Sequence, residues 1–247
     1  MNLNSDHTFS GNTSFSGKVI AGKDATISSD NKIDSLWVYG NASIYTNSLI
    51  RCDSIFGNAT FRGSDMDGKG GWIAGKQNDF GRLVVMSNSK FSGVNNVENC
   101  VLKGNAIFED ICSFDSLYLS PQKIYQFGSG QTTTVNKVLS LEGLCTGAIM
   151  LNSTVKGIQG ILHKTTGAVI GNYLSVQDIK AEGVLTFTAN NSVDLGNNMG
   201  WTINTASPLL LYWVGGTGNW DDPAHWSFSS GGPGGACLPT PIDDVFF

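Results

Sequence analysis

The residues best suited to chemistry in this 247-residue chain are a few carboxylates beside glycines or tryptophans. Asp65 and Asp67, in Asp65-Met66-Asp67-Gly68-Lys69-Gly70, alternate ahead of a glycine turn. Two such carboxylates can converge on Ca²⁺, a hard cation that takes six to eight oxygens. The third carboxylate and the distal Glu of an EF-hand loop are missing, so a polar surface turn is the favoured reading of the segment. Asp221-Asp222-Pro223 and Asp243-Asp244 are paired acids near Trp213, Trp220 and Trp226. Aromatic platforms with paired acids suit a sugar. The competing reading has the tryptophans filling the start of a module and the acids capping turns. A carboxylate pair becomes a glycosidase only at a defined separation around a bond.

Other catalytic chemistry finds little material. His7, His163 and His225 are far apart, and no nucleophile elbow, zinc-protease helix or phosphate loop is present. Cys52, Cys100, Cys112, Cys145 and Cys237 are scattered and form no CxxC. Buried small hydrophobes are the favoured reading, disulfides the alternative, and a structural zinc site fits least. Charged residues make up only 14% of the chain, with a net charge of −5. That balance excludes the clustered Lys/Arg of a nucleic-acid surface and the polybasic patch of a membrane surface. No apolar run is long enough to span a bilayer. The opening residues lack a secretory h-region, so an export signal is expected outside this segment.

The elements that must position these residues are short strands. Ser35–Val38, Ala42–Tyr45, Arg82–Met86, Lys123–Phe127, Val135–Leu141, Ile158–Leu162, Val169–Val176 and similar runs alternate Val, Ile, Leu, Phe and Thr with polar residues. No capped helical stripe interrupts them. Gly-Asn followed by a small residue recurs at Gly11, Gly40, Gly57 and Gly104, and Asp-Ser-Leu/Ile recurs at Asp34, Asp53 and Asp115. Spacings of 17 for Gly40 to Gly57 and 19 for Asp34 to Asp53 suggest a coil of roughly 17–25 residues. Corner units recurring in one orientation favour parallel stacking over the hairpins of a sandwich. The expected fold is therefore all-β, a right-handed parallel β-solenoid followed by a fragment of a further β module. Irregular coils are expected over 1–117, more regular ones over 118–204, and a tryptophan-motif unit over 209–247 after a linker at Asn204–Pro208.

The string from Leu117 to Trp201, with LYLSPQKIYQF, YLSVQDIKAEG and FTANNSVDLGNNMGW, resembles a β-solenoid segment of very large Bacteroidetes surface proteins. YWVGGTGNWDDPAHWS followed by PTPIDDVFF resembles the unit that opens each long repeat in the same proteins, including SprB-type gliding adhesins and related type IX-secreted proteins. The resemblance implies a non-enzymatic repeat segment of an extracellular, cell-surface adhesin. Its partners would be adjacent repeats of the same chain and a surface polysaccharide or external substratum, with neither nucleic acid nor membrane insertion. It also implies Asp-Ser acceptors for O-glycosylation at Ser35, Ser54 and Ser116, where the residues themselves suggest only local turns. No cofactor is expected beyond Ca²⁺ at Asp65 and Asp67. The competing functions are a carbohydrate-active β-helix, a lyase or glycosidase, and a glycan- or ice-binding solenoid. For the latter, Thr132–Thr134 is a short ladder.

Overall fold

The computed structural model describes residues 2–3, 7–9, 14–23, 25–27, 32–38, 42–44, 49–61, 72–85, 88–91, 94–183 and 186–247, with side chains described mainly from residue 88 onward. The described chain is all-β. Twenty-one strands form one hydrogen-bonded network in which every strand pairing is parallel. Among the described residues the one helical element is a 3₁₀ turn at Pro223–His225.

Strand pairing runs in three columns. In one, Ala25, Ala42, Ala59, Leu83, Cys100, Leu117 and Leu139 are successive register partners. In the second, Ala74, Phe91, Phe108, Phe127 and Ser153 follow one another. In the third, Phe80, Val97, Phe114, Val135, Lys164 and Gly183 do so. Side chains alternate across a strand, so positions two apart share a face. From Leu83 on, the apolar members join a single buried cluster, with Leu139 packed against it. Phenylalanines at successive partner positions pack with tilted rings: Phe91 to Phe108 is 5.3 Å between ring centroids and Phe108 to Phe127 is 5.2 Å. Phe114, from the third column, meets Phe108 edge-on at 5.6 Å. Tyr125 is buried in the same core, its hydroxyl accepting from the Ser120 amide and donating to backbone carbonyls.

Ala42 and Ala106 of the Gly-Asn-Ala units open their strands, Ala59 lies inside Leu49–Phe61, and their register explains the repeat. Ala42 pairs with Ala59, and Ala106 pairs with Ser89, so each pairing reproduces the spacing of Gly40 to Gly57. Ala106, whose side chain is described, is 1% exposed. At the described corners the asparagine ties one turn to the next. Asn88 Oδ1 accepts from the Asn105 amide at 2.9 Å, and Asn105 Oδ1 accepts from the Ile124 amide at 2.9 Å. A corner amide thus finds its acceptor in a side chain, as a backbone group turned out of the ladder requires. Asn105→Ala should lower stability by about 1–2 kcal/mol, read as a fall in the urea midpoint at unchanged m-value. A midpoint equal to the parent's would show that the corner ladder contributes nothing.

Three sequence expectations need correction. The Asp-Ser triplets are not one register column: Asp53 pairs with Leu36, and Ser54 with Trp37. The span after 118 is the less regular one. Its partner offsets are widest at Leu141 to Gly171 and narrowest at Ser192 to Thr205. The wider offsets accommodate excursions such as the turn closed by Leu144 and Gly147. The expected single strand over Val169–Val176 is two, Val169–Asn172 and Leu174–Gln177, broken where Tyr173 takes φ 50°.

The C-terminal unit, from Leu210 to Phe247, forms a three-stranded sheet of Leu210–Trp213, Trp226–Ser227 and Asp244–Phe246. Its small core holds Leu211, Trp226 and Ala236.

Candidate functional site

The tryptophan motif builds its own core. Trp226 is fully buried, and its indole N–H donates to the Trp220 carbonyl at 2.9 Å. Trp213 lies edge-on to Trp226 and stacks face to face on His225 at 4.9 Å. The His225 ring explains one glycine of the motif, since a Cβ on Gly218 would sit 2.0 Å from its Nε2. Trp220 packs edge-on against Trp226 yet remains 51% exposed, so it alone of the three presents a large aromatic surface.

The paired acids are engaged with the backbone. Asp222 caps the 3₁₀ turn, its Oδ1 accepting from the Ala224 amide at 2.9 Å. Asp243 accepts from the Leu209 amide at 2.7 Å and from both the amide and hydroxyl of Thr240. Asp243 therefore ties the entry of this unit to its last strand. Asp221 and Asp244 are exposed.

Cys145 and Cys237 are joined by a disulfide, with Cα atoms 4.8 Å apart and a sequence separation of 92. This overturns the favoured sequence reading for these two cysteines. That reading describes Cys100 and Cys112, which are buried free thiols. Burial pushes both thiols up, Cys112 to about 12 even though Asn95 donates to its sulfur. Cys52 lies on a strand whose side chains are outside the described residues. Beside the bridge, the Leu238 amide donates to the Cys145 carbonyl at 2.9 Å, and Gln122 Nε2 donates to the Asp221 carbonyl at 3.1 Å. The tryptophan unit is thus fastened to the flank of the parallel sheet, across the expected linker.

The other predicted sites are dispersed. Asp65 and Asp67 lie outside the described residues. Ser35 and Ser54 lie on Lys32–Val38 and Leu49–Phe61, with their side chains outside the described residues. Ser116 is 6% exposed, which leaves no room for a glycan on the folded chain. His163 sits on an outward position between Thr134 and Glu182. Among the described residues no group of three His, Cys, Asp or Glu could hold a metal ion.

One titratable group was not flagged by the sequence. Lys164 occupies an inward position after Val135 and is only 2% exposed. Its Nζ donates to the Asn136 carbonyl at 3.0 Å and to the Thr166 carbonyl, and no carboxylate is its partner in either bond. The hydroxyls of Thr165 and Thr166 also donate to the Asn136 carbonyl. Gly183 is the next partner in the column, and a Cβ there would lie 1.9 Å from the Lys164 carbonyl. Burial holds the Lys164 pKa below the ordinary lysine value. The folded value lies below the unfolded one, so the unfolded chain binds the proton more tightly. Stability should therefore rise with pH from the folded value up to the ordinary lysine range. Below the folded value the full cost of burying the ammonium is present. Melting curves at stepped alkaline pH should show that rise in the parent and lose it in Lys164→Met. Parallel pH profiles would contradict this assignment.

Asp115 shows the opposite, exposed case. Hydrogen bonds from Lys137 and Asn136 hold its carboxyl below the usual range.

Comparison with protein-family models, with curated proteins and with solved structures gives no match.

Proposed function

We propose that this chain is a right-handed parallel β-solenoid segment of an extracellular surface adhesin, a stalk that carries load and contributes weak, many-site contacts to polysaccharide or another substratum. The observation that supports it best is the repeated parallel register, carried through three columns of partners with a continuous buried face. Coils stacked in this way contact only their neighbours, so length is added without a new fold. The Cys145–Cys237 bridge supports an oxidising destination, because stable disulfides belong mainly to secreted and surface proteins. The resemblance of the tryptophan unit to repeat-opening units supports an array, and gliding motility is one setting such an array would serve.

In this reading the work is done by copy number. A single copy should hold immobilised polysaccharide weakly, and tandem copies should bind about a hundredfold tighter through effective concentration. Release of reducing or unsaturated ends from any polysaccharide in a panel would sink the non-enzymatic reading. Tandem copies no tighter than one would sink the avidity mechanism.

A further inference from the structure

The tryptophan unit does not lie flat on the sheet. Between the two is an open trench of about 630 Å³, in the size range of small-molecule sites. Its floor includes one row of register partners on four successive strands, Ile124, Met150, Ser175 and Val193. Four strands about 4.8 Å apart make that row roughly 14 Å long, across the strand direction. Ile124 and Met150 are each 38% exposed, which is costly for apolar side chains at the head of a row. The far wall carries Leu238, Pro239 and Pro241, and prolines offer no amide donor. The disulfide closes one side, since both of its cysteines line the trench.

The charged groups lining the trench are one lysine and two aspartates. Lys123 and Asp221 both line it, and the third charged group, Asp243, is already satisfied by Leu209 and Thr240. A mostly apolar floor along one row selects for an apolar chain, and the surplus negative charge of the lining selects against an anionic head. We propose that the trench binds an elongated apolar chain with an uncharged polar head, of the alkyl or acyl class. The chain lies along the row from Ile124 to Val193, and the head remains at the open side. This site is independent of the stalk reading, because it needs only one copy of the chain and no polysaccharide.

The test is calorimetric titration of the intact, oxidised chain with hexyl, octyl and decyl maltoside below their micelle concentrations, with maltose alone as the head-group control. Each added methylene should tighten binding by about fourfold until the row is filled, and maltose should not bind. Met150→Lys puts an ammonium on the floor and Ser175→Trp fills it. Both positions face outward, so the variants should melt as the parent does while octyl maltoside binds at least about tenfold more weakly. Affinity independent of chain length, binding of maltose as tight as that of octyl maltoside, or full affinity in both variants would each overturn the proposal.

Discussion

Removing the Cys145–Cys237 bridge, by reductant or by Cys145→Ser with Cys237→Ser, is expected to lower stability by about 4 kcal/mol. The bridge spans a sequence separation of 92, and the entropy withheld from the unfolded chain grows with loop length. The effect should also be local. The tryptophan unit has a core of only three buried hydrophobic residues, and two backbone-acceptor hydrogen bonds flank its bridge to the sheet. Without the bridge it should become protease-sensitive between Asn204 and Leu209, before the parallel sheet is cut. Urea unfolding with and without reductant, paired with limited proteolysis, separates the two effects. Superimposable curves and unchanged cleavage would mean that the bridge holds nothing the rest of the interface does not.

Phe108→Ala should cost a similar amount, about 3–5 kcal/mol. Phe108 is fully buried and meets three other phenylalanine rings, Phe91 and Phe127 in its own column and Phe114 from the next. Truncation would leave a cavity shared by consecutive turns, and stacked strands held at a fixed spacing have little room to collapse into it. Ile111→Ala is the matched control, since Ile111 is 55% exposed and its loss should fall within about 0.5 kcal/mol of the parent. Equal costs at the two positions would show that the inward phenylalanine row is not the core of the stack.

Legibility in the sequence followed periodicity. The Gly-Asn-Ala units keep step with the strand register, as the pairing of Ala42 with Ala59 shows. The Asp-Ser triplets do not keep step with that register: Asp53 falls opposite Leu36 and not Asp34, so their spacing was not a repeat length. Breaks made by single residues were hidden. Tyr173 splits a strand with a positive φ, a conformation for which glycine or asparagine is the usual signal. The disulfide was hidden for another reason. Its partners lie in separate units, and which corners of two units meet is decided by packing that no local pattern encodes. Lys164 was equally invisible, because an inward lysine breaks the apolar alternation and is tolerated only where carbonyls from neighbouring turns converge on it. The tryptophan spacing did carry information about the site. It marked a unit with its own core, and the trench exists only because that unit rests beside the sheet.

The proposed solenoid requires successive coils to stack in parallel along one axis. One row of register partners tests it directly, running Ser54, Asp79, Asn96, Ser113, Thr134, His163 and Glu182 in succession. Spin labels introduced by a non-cysteine chemistry at Asn96 and Glu182, four strand steps apart, should give a backbone-level separation of roughly 19 Å, and labels at Ser54 and Glu182, six steps apart, roughly 29 Å. Distances that grow in proportion to the number of steps are the predicted result. A separation for Ser54 and Glu182 equal to or shorter than that for Asn96 and Glu182 would contradict the stack.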